Sequence, residues 1–194
     1  MRAVRLFPVV ALGLALAGCF GGAKVPDTLL TLTPQAAAPA QLARAANAGE
    51  AVTIEVPIVA QELNQLRVPA HEGPTAVTYI KDLQWVDRPN RMFQQLLTET
   101  VRRTTSRVVL DPRQASLDPG LKVTGTLQRM GYDATTGQVM VVYDAALARE
   151  GGTRVETRRF EASAPAAGTA ETVAPALNQA ANAVATQVAS WIGG

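Results

Sequence analysis

The chain of 194 residues holds a single cysteine, Cys19, a single histidine, His71, and only 5% aromatic residues. One cysteine cannot form an intrachain disulfide, so burial of apolar side chains has to hold the fold. With no second histidine, a Cys/His zinc site or a Cys/His or Ser/His/Asp triad has very little material. His71 stands between Ala70 and Glu72 in a polar, turn-like stretch and reads as a surface histidine. Asp133 and Asp144 form no recognisable acid/base pair. Gly137, Gly151 and Gly152 have turn spacing that matches neither a phosphate-binding loop nor a dinucleotide fingerprint. The longest apolar run, Leu6 to Ala17, is broken by Pro8 and Gly13 and falls well short of the roughly 20 residues that span a bilayer. These gaps argue against an enzyme and against a permanent transmembrane helix.

That run instead has the build of a secretory signal peptide. Arg2 and Arg5 precede it and small residues close it. Leu16-Ala17-Gly18-Cys19 looks like a bacterial lipobox. Small residues at 17 and 18 let a peptidase approach the bond, and the Cys19 thiol takes the diacylglyceryl group. The reading divides the chain into a signal peptide (1–18), a lipidated tether (19–27) and one periplasmic domain (28–194). A single acyl chain binds membranes only marginally, so a lipoprotein with more than one chain is stably tethered. Phe20, rather than aspartate, follows the lipidated cysteine and favours the outer membrane over the inner.

Processing changes the charge balance. The whole chain carries a net charge of +2, but Arg2 and Arg5 leave with the signal, so 16 basic and 16 acidic residues remain. A neutral domain of about 175 residues is no nucleic-acid binder and is large enough for one core.

Along the chain, Leu29–Thr33 reads as a short strand stopped by Pro34, followed by an alanine-rich loop to Gly49. Val52–Val56 alternates as a half-buried strand does and is closed by Pro57. Gln61 to Pro74 reads as a polar cover for a sheet edge. Ala76–Ile80 is a strand running on toward Trp85. Asp87-Arg88-Pro89 starts a helix whose Met92, Phe93, Leu96, Leu97, Thr100 and Val101 make one apolar face. Arg107–Leu110 is a short strand. Three longer strands then form a meander with turns at Asp133–Gly137 and Glu150–Gly152. Val139, Val141, Tyr143, Ala145 and Leu147 share one face of the middle strand. A last helix from Thr169 to Ile192 carries Val173, Leu177, Ala181, Val184, Val188 and Trp191 at helical spacing. The expected fold is α+β: a mainly antiparallel sheet with two amphipathic helices packed on one face.

The order of these pieces resembles the ABC-type transport auxiliary lipoproteins. The resemblance rests on the lipobox, Leu30-Thr31-Leu32-Thr33-Pro34, Ile54-Glu55-Val56-Pro57-Ile58, then Leu63, Leu66 and Val68, and Tyr79, Trp85 and Pro89 before the helix. The chain departs from the family pattern at Leu30, where tyrosine is common, and at Asn64-Gln65, where aspartate-arginine is common. The resemblance implies a non-enzymatic lipoprotein, without cofactor or metal, beside an ABC permease and ATPase and an MCE-domain protein. Such systems move lipids between membranes. The lipoprotein would be anchored through its acyl groups, including palmitate, at the periplasmic face of the outer membrane. It would dock the transport assembly there and could self-associate. A structural lipoprotein assisting an outer-membrane assembly complex is the competing reading.

Cys19 is thus the lipidation site. Tyr79 and Trp85 are candidate partner contacts, with core packing at a strand-to-helix junction as the competing role. Arg102-Arg103 and Arg158-Arg159 are solvated charge or contacts to lipid headgroups or an acidic partner.

Overall fold

The computed structural model describes residues 26–38, 43–118 and 120–193. The signal peptide and Cys19 lie outside the described residues. Eight strands form one sheet: β1 (Val52–Ile54), β2 (Ile58–Val59), β3 (Arg67–His71), β4 (Val77–Gln84), β5 (Val109–Leu110), β6 (Leu121–Asp133), β7 (Gln138–Arg149) and β8 (Arg154–Pro165). Two helices, α1 (Pro89–Thr104) and α2 (Ala170–Gly193), complete the fold.

The meander β6–β7–β8 is the backbone of the sheet. Its two antiparallel ladders run from Lys122↔Ala148 to Asp133↔Gln138 and from Gln138↔Pro165 to Arg149↔Arg154. The other side of β6 is filled by three short strands laid end to end. β1, β2 and β3 all run parallel to β6, at Val52↔Leu121, Ile58↔Thr126 and Ala70↔Tyr132. β5 adds to β1 in parallel, and β4 adds to β3 antiparallel. The sheet is therefore mixed rather than mainly antiparallel. Hairpin turns give the antiparallel pairs, but β1 and β2 reach β6 only through the long excursion across α1, which delivers them in parallel.

One face of the sheet is apolar and carries both helices. Leu127, Tyr143 and Phe160 sit opposite one another across three strands and are all buried. Phe93 of α1 meets Tyr143 edge-on at 5.3 Å, and Trp191 of α2 tilts against Phe160 at 5.4 Å. The predicted stripe of α1 is the buried one, from Met92 to Val101. A register shift between Leu127 and Arg129 resets the alternation, so Leu127 and Met130 both face the core despite their odd spacing. Pro175 sits inside α2 on its exposed side without ending the helix.

Two local expectations differ from the structure. Leu29–Thr33 is not a strand; it contributes one isolated bridge, Leu30↔Trp85. The Leu30 amide donates to the Gln84 carbonyl at 2.7 Å and the Leu30 carbonyl accepts from the Val86 amide at 3.0 Å, and side chains of α2 hold the residues that follow. Asn178 Oδ1 accepts from the Thr33 amide at 2.8 Å, and Asn182 accepts from the Gln35 amide and donates to the Thr33 carbonyl. The stretch 61–74 is more than a cover, since it contains a 3-10 turn (Gln61–Leu63) and β3. Pro69 lies inside that strand and is accommodated at a register irregularity between Arg67 and Pro69.

Candidate functional site

Each candidate residue can now be placed. Trp85 follows β4 directly and is fully buried under the sheet-to-helix junction, where its amide donates to the Leu66 carbonyl at 2.7 Å. Its indole Nε1 has no hydrogen-bond partner among the described residues. Tyr79 in β4 is half-buried. The Arg67 guanidinium covers its ring at 3.9 Å, and Gln65 donates to its hydroxyl. These two residues therefore do not form one exposed aromatic surface: one is core, and the other is capped by its own sheet.

The paired arginines are mostly tied to the fold. Arg102 donates to the Val109 carbonyl at 3.2 Å, linking α1 to β5. Arg103 bonds Glu99 at 2.7 Å and the Ala36 carbonyl at 2.8 Å. Arg44, which the sequence did not single out, donates to the carbonyls of Arg102, Thr105 and Arg107 and neutralises the C-terminal end of α1. Arg159 holds Asp144 through two bonds of 2.6 and 2.7 Å, which lower the Asp144 pKa and raise that of Arg159. Arg158 lies over the Phe160 ring at 5.3 Å.

The carboxylates and histidine have structural surroundings. Asp133 closes the β6–β7 hairpin by accepting from the Thr135 hydroxyl and amide and from Arg129. Those bonds lower its pKa, the Thr135 hydroxyl bond most strongly. Burial pushes the Tyr143 phenol upward, and its hydroxyl is spent on the Thr124 carbonyl at 3.2 Å. His71 is 3.4 Å from Glu62, and its side chain is 17% exposed, so it is half-buried rather than a freely solvated histidine. No cluster of metal-binding side chains occurs among the described residues. Nor is any helix among them long and apolar enough to cross a membrane.

One cavity is an open groove of about 750 Å³. It lies where the chain enters the fold, between Pro26–Thr31, the β4 residues Asp82 and Leu83, and the first turns of α2 at Ala170 and Glu171. Asp82 has a φ of 56°, the single positive-φ residue other than glycine among the described residues. The groove brings together the start of the described chain, an edge of the sheet and a helix start. It contains no nucleophile–base arrangement.

The polar side chains described above mainly serve the fold. The family model for the ABC-type transport auxiliary lipoprotein component matches residues 30–189, and the chain belongs to that family. It is an auxiliary transport family, not a family of enzymes. Two crystal structures share the fold. Protein XCC0632 from Xanthomonas campestris has a TM-score of 0.66 at 17% identity, covering 87% of this chain and 92% of its own. An uncharacterized protein has a TM-score of 0.63 at 13% identity, covering 75% of this chain and 94% of its own. A PelC dodecamer from Paraburkholderia phytofirmans, at a TM-score of 0.40, 12% identity and coverage of 74% and 91%, is too distant to carry an argument. No curated protein matches the chain by sequence.

Proposed function

We propose that this chain is the membrane-anchored accessory lipoprotein of an MCE-linked ABC lipid-transport system. In this reading residues 1–18 are removed and Cys19 is acylated. Residues 19–27 tether a periplasmic domain, 28–194, at the outer membrane. The domain docks the periplasmic transport assembly at that surface and performs no chemistry on the lipid. The observation that carries the reading is the family match over nearly the whole folded domain, joined to a lipobox that places an anchor just ahead of it. The MCE partner, the docking role and the choice of membrane come from the family resemblance and the residue after Cys19.

The arrangement of the domain supports this. The tether from Cys19 to Pro26 spans at most about 25 Å when extended, which keeps the domain close to the bilayer. The anchor reading is tested by expressing the full chain and its Cys19→Ala variant with radiolabelled palmitate. The parent chain takes up label and sediments with membranes, and the variant does neither once its signal is cleaved. A cleaved Cys19→Ala chain that keeps its label or stays on membranes would refute the anchor.

A further inference from the structure

β8 is a 12-residue strand that pairs with β7 along one side and with no strand along the other among the described residues. Long free edges are a pairing hazard, and charges of one sign usually block them. Here the edge carries both signs, Arg154, Glu156, Arg158, Arg159 and Glu161, so a reversed copy can set Arg159 against Glu161.

We infer that β8 is a self-association surface whose occupant is the β8 strand of a second copy, paired antiparallel about a two-fold axis at Phe160. In an antiparallel pair, opposed residues share a face, so the axis sets every contact. With the axis at Phe160, Arg159 of each copy faces Glu161 of the other, and Thr157 faces Ser163. Arg159 is held ready by its two bonds to Asp144, while Glu161 is exposed and makes no ion pair among the described residues. An axis at Arg158, Arg159 or Glu161 would oppose like charges. An axis at Thr157 opposes Glu156 and Arg158 but overlaps only seven residues of the strand, against eleven, Val155–Pro165, for Phe160. Opposite-charge and aromatic cross-strand pairs each contribute up to about 1 kcal/mol, and like charges directly opposite are unfavourable.

The helix layer is compatible with the same contact. α2 packs over β7 and β8, and it borders the free edge at a groove of about 380 Å³ lined by Arg158, Phe160, Thr186, Gln187, Ser190 and Trp191. Gln187 there donates to the Glu161 carbonyl at 3.3 Å. The α2 residues that line this groove, Thr186, Gln187, Ser190 and Trp191, carry no charge. Glu171 is the single charged residue in the 24 of the helix.

The test is sedimentation velocity of the full chain purified in detergent, with two variants at exposed positions. The parent chain is expected to sediment as a dimer. Glu161→Arg, which sets it against Arg159, and Arg159→Glu, which sets it against Glu161, are each expected to weaken dimerisation at least tenfold. The double variant Thr157→Cys/Ser163→Cys gives a dimer-sized band on a non-reducing gel that the parent chain lacks. A monomeric parent, an oligomer that both charge variants retain, or a dimer without that band overturns the proposal.

Discussion

Trp85 separates a packing role from a docking role, because the two make opposite predictions for one substitution. The indole is fully buried and Nε1 is unpartnered among the described residues. Trp85→Ala removes a large aromatic from a core that cannot close around the gap, which costs about 3–5 kcal/mol. For a domain of this size each kcal/mol lowers Tm by about 2–4 °C, so the loss is about 6–20 °C. Trp85→Phe keeps most of the ring and deletes the orphan N–H, whose burial costs about 1–3 kcal/mol. The relief offsets much of the smaller cavity, leaving a net loss of less than about 2 kcal/mol. Thermal unfolding followed by circular dichroism reads both values, and recovery of partners from membranes reads docking. A Trp85→Ala chain with unchanged Tm that loses its partners would refute the packing argument.

Other consequences follow from single contacts. A Cβ at Gly125 would lie 2.3 Å from the Asp144 carbonyl oxygen and 2.7 Å from Tyr143 Cε2, so Gly125→Ala forces β6 and β7 apart at a cost of about 3 kcal/mol, read from a lower urea midpoint. Thr100 Oγ1 is buried without a partner among the described residues, so Thr100→Val is expected to raise stability by about 1 kcal/mol in the same assay. Asp133 has a folded-state pKa below its ordinary value of 3.8. Its contribution is fully present above that value and is lost as pH falls through the depressed one. The stability gap between the parent chain and Asp133→Asn, about 1–2 kcal/mol at pH 6, should close as the pH is taken to 2; a gap constant over that range would show that ionisation of Asp133 is irrelevant.

The parts of the fold legible in the sequence are those set by local periodicity. The α1 stripe from Met92 to Val101 and the alternation of β7 predicted their buried faces because each element packs one side only. The parallel placement of β1, β2 and β3 along β6 was not legible. Each is short, and the β6 residues it pairs with lie 60 or more residues away. Leu29–Thr33 was misread for a related reason: among the described residues only Leu30 of this stretch bonds a main-chain neighbour, and Asn178 and Asn182, one helical turn apart on α2, bond Thr33 and Gln35. His71 was read as a surface residue from its polar neighbours, yet β3 carries it to within 3.4 Å of Glu62. Burial of Trp85 was anticipated as one of its two roles. The capping of Tyr79 by Arg67 depends on β3, a strand inside the stretch read as a polar edge cover.

The account stands or falls on what the lipoprotein binds in the envelope. The direct measurement is affinity purification of the full chain from gently solubilised membranes after brief cross-linking, with bound proteins identified by mass spectrometry. The predicted result is an ABC permease and ATPase together with an MCE-domain protein. Recovery of an outer-membrane barrel or its assembly machine in their place, with no transporter component, would contradict it.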